Sequence, residues 1–421
     1  MTEYATPNTR VAAHAGITFV GLLAANVLAY VFYALVSRAI GVEAYGTFSS
    51  LVAIVLILSA PAMIAQLVVA KLASDWSSDP NRLVGLVRAV DRVSLTFAAV
   101  AGIALAAVSV PLAGFLHVSD PLLVTLAGLS LCGALALPFL RGVLQGTSRF
   151  RAFALSNVAE AGGKALFAPV LGLVAGVRGA VAGMALGYAV AAVATFLAAI
   201  PHRRGISIPF SLRTVVHTSA AVALAVFCVN VLLLYDSVLA KHYLDAHTVG
   251  LYNAAALAGR ALYAVVAFVP VVLLPHSAVR AARRERTRWL LLQALGVSAA
   301  IGAATIGFFT LFSHFVIAAI TSTAFAGAAQ FLTPYVYAIA VLSLANVVVT
   351  YNISRGRMRF IGPLALVVAG EIASVVLRHR SAADLLQTIV VGHTLALLAA
   401  ATSLGGTRRT LPAAGLEVTA A

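Results

Sequence analysis

The sequence predicts an all-α polytopic membrane protein, with twelve transmembrane helices in two six-helix bundles. Three observations predict it. Of the 421 residues, 62% are hydrophobic and only 10% are charged, where a soluble chain carries roughly a quarter. The apolar residues come in long blocks, many of about 20 or more, the length that crosses roughly 30 Å of hydrocarbon. The basic residues gather in the short connections between blocks, and mostly in alternate ones, as the positive-inside rule requires.

The blocks follow one another at roughly 12–37, 47–71, 93–116, 122–146, 153–176, 179–200, 214–241, 248–275, 289–318, 328–353, 360–377 and 383–404. The first is too long for a signal-peptide core and lacks a cleavage site, so it is expected to remain as a span. The longest connection, near 73–92, runs into the amphipathic stretch "NRLVGLVRAVDRV" and is expected to lie outside the spans. Helix 6 carries "GAVAGMALG", which puts Gly179, Gly183 and Gly187 on one face and lets another helix approach closely. Pro61, Pro138, Pro169, Pro270 and Pro334 are expected to interrupt spans, since proline frees a carbonyl and permits a bend. Cys132 and Cys228 both fall within spans and read as small packing residues. No connection is long enough for a soluble catalytic domain.

With the N-terminus cytoplasmic, 21 of the 28 Lys and Arg lie on the cytoplasmic side. Five lie opposite (Arg38, Arg178, Lys241, Arg378 and Arg380), and Lys164 and Arg260 lie within spans. Both termini are therefore expected in the cytoplasm. The net charge of +15 is accounted for by these loops, which would meet membrane lipids, so nucleic acid is not expected as a partner. A six-plus-six duplication is expected as well. "SRAIGVEAYGTF" (37–48) and "KHYLDAHTVGLY" (241–252) align at an offset of 204 residues, pairing Gly46 with Gly250 and Phe48 with Tyr252. An even number of helices per copy makes this a parallel pseudo-twofold repeat. The domains are then an N-terminal lobe at 1–200, a cytoplasmic linker at 201–213, a C-terminal lobe at 214–404 and a disordered cytoplasmic tail at 405–421.

Ionisable groups sit inside the spans. Glu160 lies nine residues past Arg151, about 13 Å along the helix, and Lys164 lies about 20 Å along it. Their i, i+4 spacing allows them to pair. Arg260 is near the middle of helix 8 and Asp236 in the outer half of helix 7. Glu371 is in helix 11, about 18 Å from Arg359. Amides at depth include Asn26, Gln66, Asn157, Asn230, Asn346 and Gln387, with His393 beside them. A charge at mid-bilayer costs on the order of 2.5–3.5 kcal/mol, and such groups usually face water or substrate. Lys164, Arg260, Glu160, Asp236, Glu371 and Asn230 are therefore candidates for a hydrated substrate cavity, with interhelical pairing as the alternative. Arg38 and Lys241 are candidates for an outer exit. Lys164 and Arg260, from different halves, would converge on an anion such as phosphate.

Certain motifs resemble the polysaccharide, or O-antigen, flippase family of the multidrug/oligosaccharidyl-lipid/polysaccharide exporter superfamily. They are "RAIGVEAYGTF" after helix 1, "QGTSRF" (145–150), "YDSVLAKHYLDAHTVGLYNAA" (235–255) and "FVPVVLLP" (268–275). The resemblance implies a MATE-like, V-shaped transporter of a prokaryotic inner or plasma membrane. Its implied cargo is polyprenyl-pyrophosphate-linked oligosaccharide, carried from the cytoplasmic to the outer leaflet by alternating access. It also implies glycan polymerase or glycosyltransferase machinery as partners, and Lys164 and Arg260 as holders of the pyrophosphate. A proton or sodium ion would couple transport through Glu160, Asp236 or Glu371. Drug antiporters of the superfamily commonly use an acidic residue in helix 1, and helix 1 here has none. A multidrug or small-molecule antiporter is the alternative, and a membrane oligosaccharide polymerase or ligase a weaker one. No enzyme chemistry, cofactor or metal is expected. "EAGGKAL" lacks the first glycine and the Ser/Thr of a phosphate loop, and no His/Cys/Asp cluster has metal-ligand spacing.

Overall fold

The computed structural model describes residues 7–203, 205–208, 213–269 and 288–404. They form helices α1 (Pro7–Ile40), α2 (Val42–Ser59), α3 (Ala62–Asp75), α4 (Pro80–Ala107), α5 (Ser109–Phe115), α6 (Leu122–Gly146) and α7 (Phe150–Ala198). After these come α8 (Arg213–Tyr243), α9 (Ala246–Val266), α10 (Arg288–Leu311), α11 (Ser313–Ile320), α12 (Ala329–Ser354), α13 (Ile361–Leu377) and α14 (Ala382–Ala401). Ten described helical stretches are long and apolar enough to cross a membrane, and α13 is a shorter apolar helix. The 49-residue α7 is two helices joined at Ala175 and Gly176. Gly176 sits at φ +58°, a left-handed conformation that glycine adopts without steric cost. Every one of the twelve expected spans thus has its helix, and the chain is a multi-pass membrane protein of all-α fold. The tail at 405–421, Pro270 and residues 280–286 lie outside the described residues.

Three details differ from the sequence reading. The amphipathic stretch is no connection. Asp79 caps α4, accepting from the backbone N–H of Asn81 and Arg82, and Pro80 takes the first helical position, where its missing N–H costs nothing. The third span therefore begins at Pro80 and ends at Ala107. It breaks there because Pro111 cannot donate back to the carbonyl of residue 107. Pro138, Pro169 and Pro334 lie inside unbroken helical runs, while Pro61 separates α2 from α3.

The 204-residue offset recurs in the element boundaries. It carries the start of α2 (Val42) to that of α9 (Ala246), the end of α4 (Ala107) to that of α10 (Leu311), and the start of α5 (Ser109) to that of α11 (Ser313). Equivalent boundaries can use different chemistry. Gly41, at φ +79°, precedes α2, whereas its counterpart Asp245 accepts from the Thr248 N–H at the start of α9.

The chain divides into two compact units. Unit 1 is Met1–Ala223, Ser237–Ala254 and Ile317–Ala328; unit 2 is Leu224–Asp236, Ala255–Val316 and Ala329–Ala421. The first boundary lies between Ala223 and Leu224, within α8, and two short segments of the second half of the sequence pack in unit 1. Large apolar side chains are exposed along α1 at Phe19, Leu23, Val27, Val31 and Leu35. A spacing of four places them on one face, which hydrocarbon can solvate and water cannot.

Within unit 1 the glycine stripe of α7 folds its second arm onto its first. A Cβ on Gly179 would overlap the Leu171 carbonyl. One on Gly183 would overlap the Ala168 backbone, and one on Gly187 would meet Lys164 Cγ at 2.6 Å. This contact seats Lys164 between the arms.

Candidate functional site

Each unit carries one cluster of charged groups in its membrane-spanning helices. In unit 1 the centre is Glu160, on the first arm of α7. Its Oε1 accepts from Lys164 Nζ at 2.6 Å and its Oε2 from Arg141 Nη2 at 2.8 Å. One carboxylate thus neutralises one of two cations, and the trio keeps a net charge of +1. Arg141, in α6, is fixed by two further bonds, from Nε to Ser156 Oγ and from Nη2 to the Ser156 carbonyl, both at 2.9 Å. Ser156 Oγ in turn lies 2.6 Å from Thr195 Oγ1 on the second arm. Lys164 Nζ stands 4.4 Å from the centroid of the Tyr188 ring and 5.8 Å from that of Phe32, so aromatic faces cover it with partial negative charge. The three side chains are 9%, 17% and 12% exposed for Arg141, Glu160 and Lys164. They are largely desolvated.

Arg141 is the residue the sequence reading missed. The sequence counts it among the 21 cations of the cytoplasmic side, because it lies close to the end of helix 4. The structure buries it inside α6, where it needs a carboxylate, and Glu160 is that carboxylate.

In unit 2 the centre is Asp236, almost fully buried in α8. Oδ1 accepts from Arg260 Nη2 at 2.7 Å and Oδ2 from the Tyr335 hydroxyl at 2.8 Å. Arg260 Nε also donates to the Leu233 carbonyl at 3.0 Å. Beside this pair, the Tyr235 hydroxyl donates to Glu371 Oε1 at 2.7 Å. His393 Nε2 is 3.7 Å from the same oxygen. Both ring nitrogens of His393 face carbonyls, Ala338 at 3.0 Å and Leu232 at 3.1 Å. Among the described residues, Glu371 Oε2 is buried without a hydrogen-bond partner. It lies against Gly392, where any Cβ would overlap the carboxylate. A cavity of about 640 Å³ reaches Glu371 between α13 and α14, and Ser374, Asp384, Gln387 and Thr388 add polar groups to its lining.

Lys164 and Arg260 are thus each held by a carboxylate of their own unit. Asn230 donates to Val226 of its own helix at 2.9 Å and joins neither cluster. Asn157 likewise bonds back to Phe153, and Gln66 pairs with Gln145 at 3.2 Å. Arg38 is exposed and donates to the Ala319 carbonyl at 2.8 Å. Lys241 is buried. Among the described residues no group of three or more His, Cys, Asp or Glu could hold a metal ion.

By sequence, the chain matches no family model and no curated protein. By structure, it is similar to an inward-facing multidrug resistance MATE family transporter of the MOP superfamily. The TM-score is 0.73 at 13% identity, over 91% of this chain and 96% of that one. It is similar to the lipid II flippase MurJ in an inward closed conformation, with TM-score 0.65 and 12% identity over 92% and 87% of the two chains. It is similar also to the eukaryotic MATE transporter AtDTX14, with TM-score 0.65 and 14% identity over 95% and 96%. At such identities the likeness is one of fold. The chain has a MATE-like fold.

Proposed function

We propose that this chain is a flippase that moves a polyprenyl-pyrophosphate-linked oligosaccharide from the cytoplasmic to the outer leaflet of a prokaryotic cell membrane by alternating access. The observation that carries the reading is the cationic excess of the unit 1 cluster. Arg141 and Lys164 share one carboxylate inside membrane-spanning helices. A buried positive excess needs an anion, and guanidinium and ammonium groups suit the oxygens of a pyrophosphate. The fold supports it too, since a lipid II flippase shares it. The lipid tail would stay in hydrocarbon, and glycan-assembling enzymes would be the partners that supply and receive the cargo. Glu371 would bind the coupling proton or cation, because its Oε2 is buried without a donor. With the N-terminus cytoplasmic, the end of unit 1 at Gly41 and Asp245 is the outer one. No covalent step is assigned to the chain.

The experiment is a leaflet-resolved assay in proteoliposomes. Lipid-linked oligosaccharide should become accessible in the opposite leaflet only when the chain is present. No translocation above empty vesicles would overturn the reading. A second reading, a multidrug antiporter, is favoured by the acidic cluster of unit 2, which could take an organic cation at Glu371. Efflux of cationic dyes without movement of the lipid-linked glycan would select it.

A further inference from the structure

His393 of α14 is fully buried, and every group that its ring nitrogens face is an acceptor. Nδ1 faces the Ala338 carbonyl of α12 at 3.0 Å. Nε2 faces the Leu232 carbonyl of α8 at 3.1 Å and Glu371 Oε1 of α13 at 3.7 Å. A neutral imidazole has one N–H and one lone pair. In either tautomer that lone pair would point at a carbonyl oxygen. An imidazolium donates from both nitrogens and satisfies both contacts. A buried cation needs a counter-charge, and the Glu371 carboxylate stands beside it. Gly392, next to His393 in the chain, permits this approach, since a Cβ there would overlap the carboxylate.

The rest of the cluster has room for a proton and little for a metal ion. Asp236 accepts from Arg260 and Tyr335, and Glu371 Oε1 accepts from Tyr235. Among the described residues, Glu371 Oε2 is the carboxylate oxygen of this cluster without a hydrogen-bond partner. A hard cation takes several oxygen ligands, whereas a proton takes one. The cavity between α13 and α14 leads to Glu371 and carries polar side chains toward one end. Ser374, Arg378, Asp384 and Thr388 line it toward the α13–α14 connection, and Leu366 and Leu395 line the opposite end. Arg378 is seven residues from Glu371, about 10 Å of helix. Water can therefore come to Glu371 from the connection and meets apolar side chains beyond it. With the N-terminus cytoplasmic, that connection is on the outer side.

We propose that the coupling ion is a proton, which enters on Glu371 from the α13–α14 cavity and rests on His393 as an imidazolium paired with the Glu371 carboxylate. This deepens the transport reading and rests on it for what the proton drives. One proton passes from water to the carboxylate and on to Nε2, and no other bond changes. Its charge completes the cluster, because Arg260 and the imidazolium then match Asp236 and Glu371. Tyr235 and the Asp236–Arg260 pair on α8 and α9, and Tyr335 on α12, keep their contacts. The acceptors around the ring come from α8, α12 and α13. A shift of any of these helices removes a contact that holds the charged ring, so release of the proton is tied to a change of conformation.

The test is nuclear magnetic resonance of the full purified chain in lipid nanodiscs, with isotope-labelled histidine side chains. His393→Asn assigns the signal, and His393→Gln serves if the Asn chain does not fold. At neutral pH His393 should give the shifts of an imidazolium. Glu371→Gln should lower the imidazolium fraction by about threefold or more, because the opposite charge that favours it is gone. Thermal unfolding checks that this variant is folded. Exchanging potassium chloride for sodium chloride should change neither chain. A neutral His393 in the parent, an unaltered fraction in Glu371→Gln, or a sodium-dependent signal would each overturn the proposal. Proteoliposomes separate it from the cargo reading. If His393 holds its proton but no lipid-linked oligosaccharide moves, the proton site stands and the cargo reading fails. If oligosaccharide moves and a pH gradient does not speed it, the cargo reading stands and the coupling proton fails.

Discussion

The charged clusters of the two units use the same residue types with opposite balance. In unit 1 two cations, Arg141 and Lys164, share one carboxylate. In unit 2 Asp236 balances Arg260, and a second carboxylate, Glu371, is left with a tyrosine hydroxyl and the His393 ring. The first arrangement has a positive charge to spare and the second a negative one. In hydrocarbon such an imbalance persists only where a ligand or a proton completes it. Under the proposed function, the anionic part of a cargo would meet unit 1 and a proton or cation would meet unit 2.

Removing the shared carboxylate should do the most damage. Glu160→Gln strands two buried cations, and losing a partner of a buried pair costs about 3–5 kcal/mol. Thermal unfolding in detergent should show that loss, and adding Lys164→Gln should recover part of it. Additive effects in the double-mutant cycle would break the pairing. Asp236→Asn strands only one cation, so within the same range of about 3–5 kcal/mol for a broken buried pair its cost should be the smaller. An equal cost for the two variants would remove the asymmetry on which the comparison rests.

Much of this fold was legible because hydrophobic block length and glycine spacing are local signals. The Glu160–Lys164 pair was legible for the same reason, since i, i+4 on one helix needs no tertiary knowledge. Arg141 was not. Its partner lies on another helix, and closeness to a helix end made it look like a loop cation. The start of α4 could have been read from "DPNR", an N-cap followed by proline, but the lower hydropathy of 80–92 hid it. The tyrosines that donate to Asp236 and Glu371, Tyr335 and Tyr235, gave no sign, because an aromatic residue in an apolar helix reads as packing.

Smaller effects sharpen the picture. Asp245→Ala removes the cap of α9 and should cost about 1 kcal/mol. Hydrogen bonds from the Thr248 side chain and then from its backbone N–H hold the Asp245 carboxyl below its ordinary value. Its contribution is therefore complete at neutral pH and fades as pH falls through that lowered value. Comparing the acid limb of unfolding in parent and variant checks this, and identical limbs would contradict it. Glu371→Gln is nearly isosteric, and its stability should stay within about 1 kcal/mol of the parent. Transport should instead lose its dependence on a pH or sodium gradient. The groups facing that carboxyl, Tyr235, His393 and the neighbouring Asp236–Arg260 pair, remain in place. Undiminished coupling in Glu371→Gln would move the ion site elsewhere.

The most direct test of the cationic excess is the affinity of the purified chain for a short-chain polyprenyl pyrophosphate, measured for the parent and for Lys164→Gln. Loss of one charge-assisted contact should weaken binding by about tenfold or more, with the variant still folded. Equal affinity in the two chains would mean that Arg141, Glu160 and Lys164 hold helices together and hold nothing else.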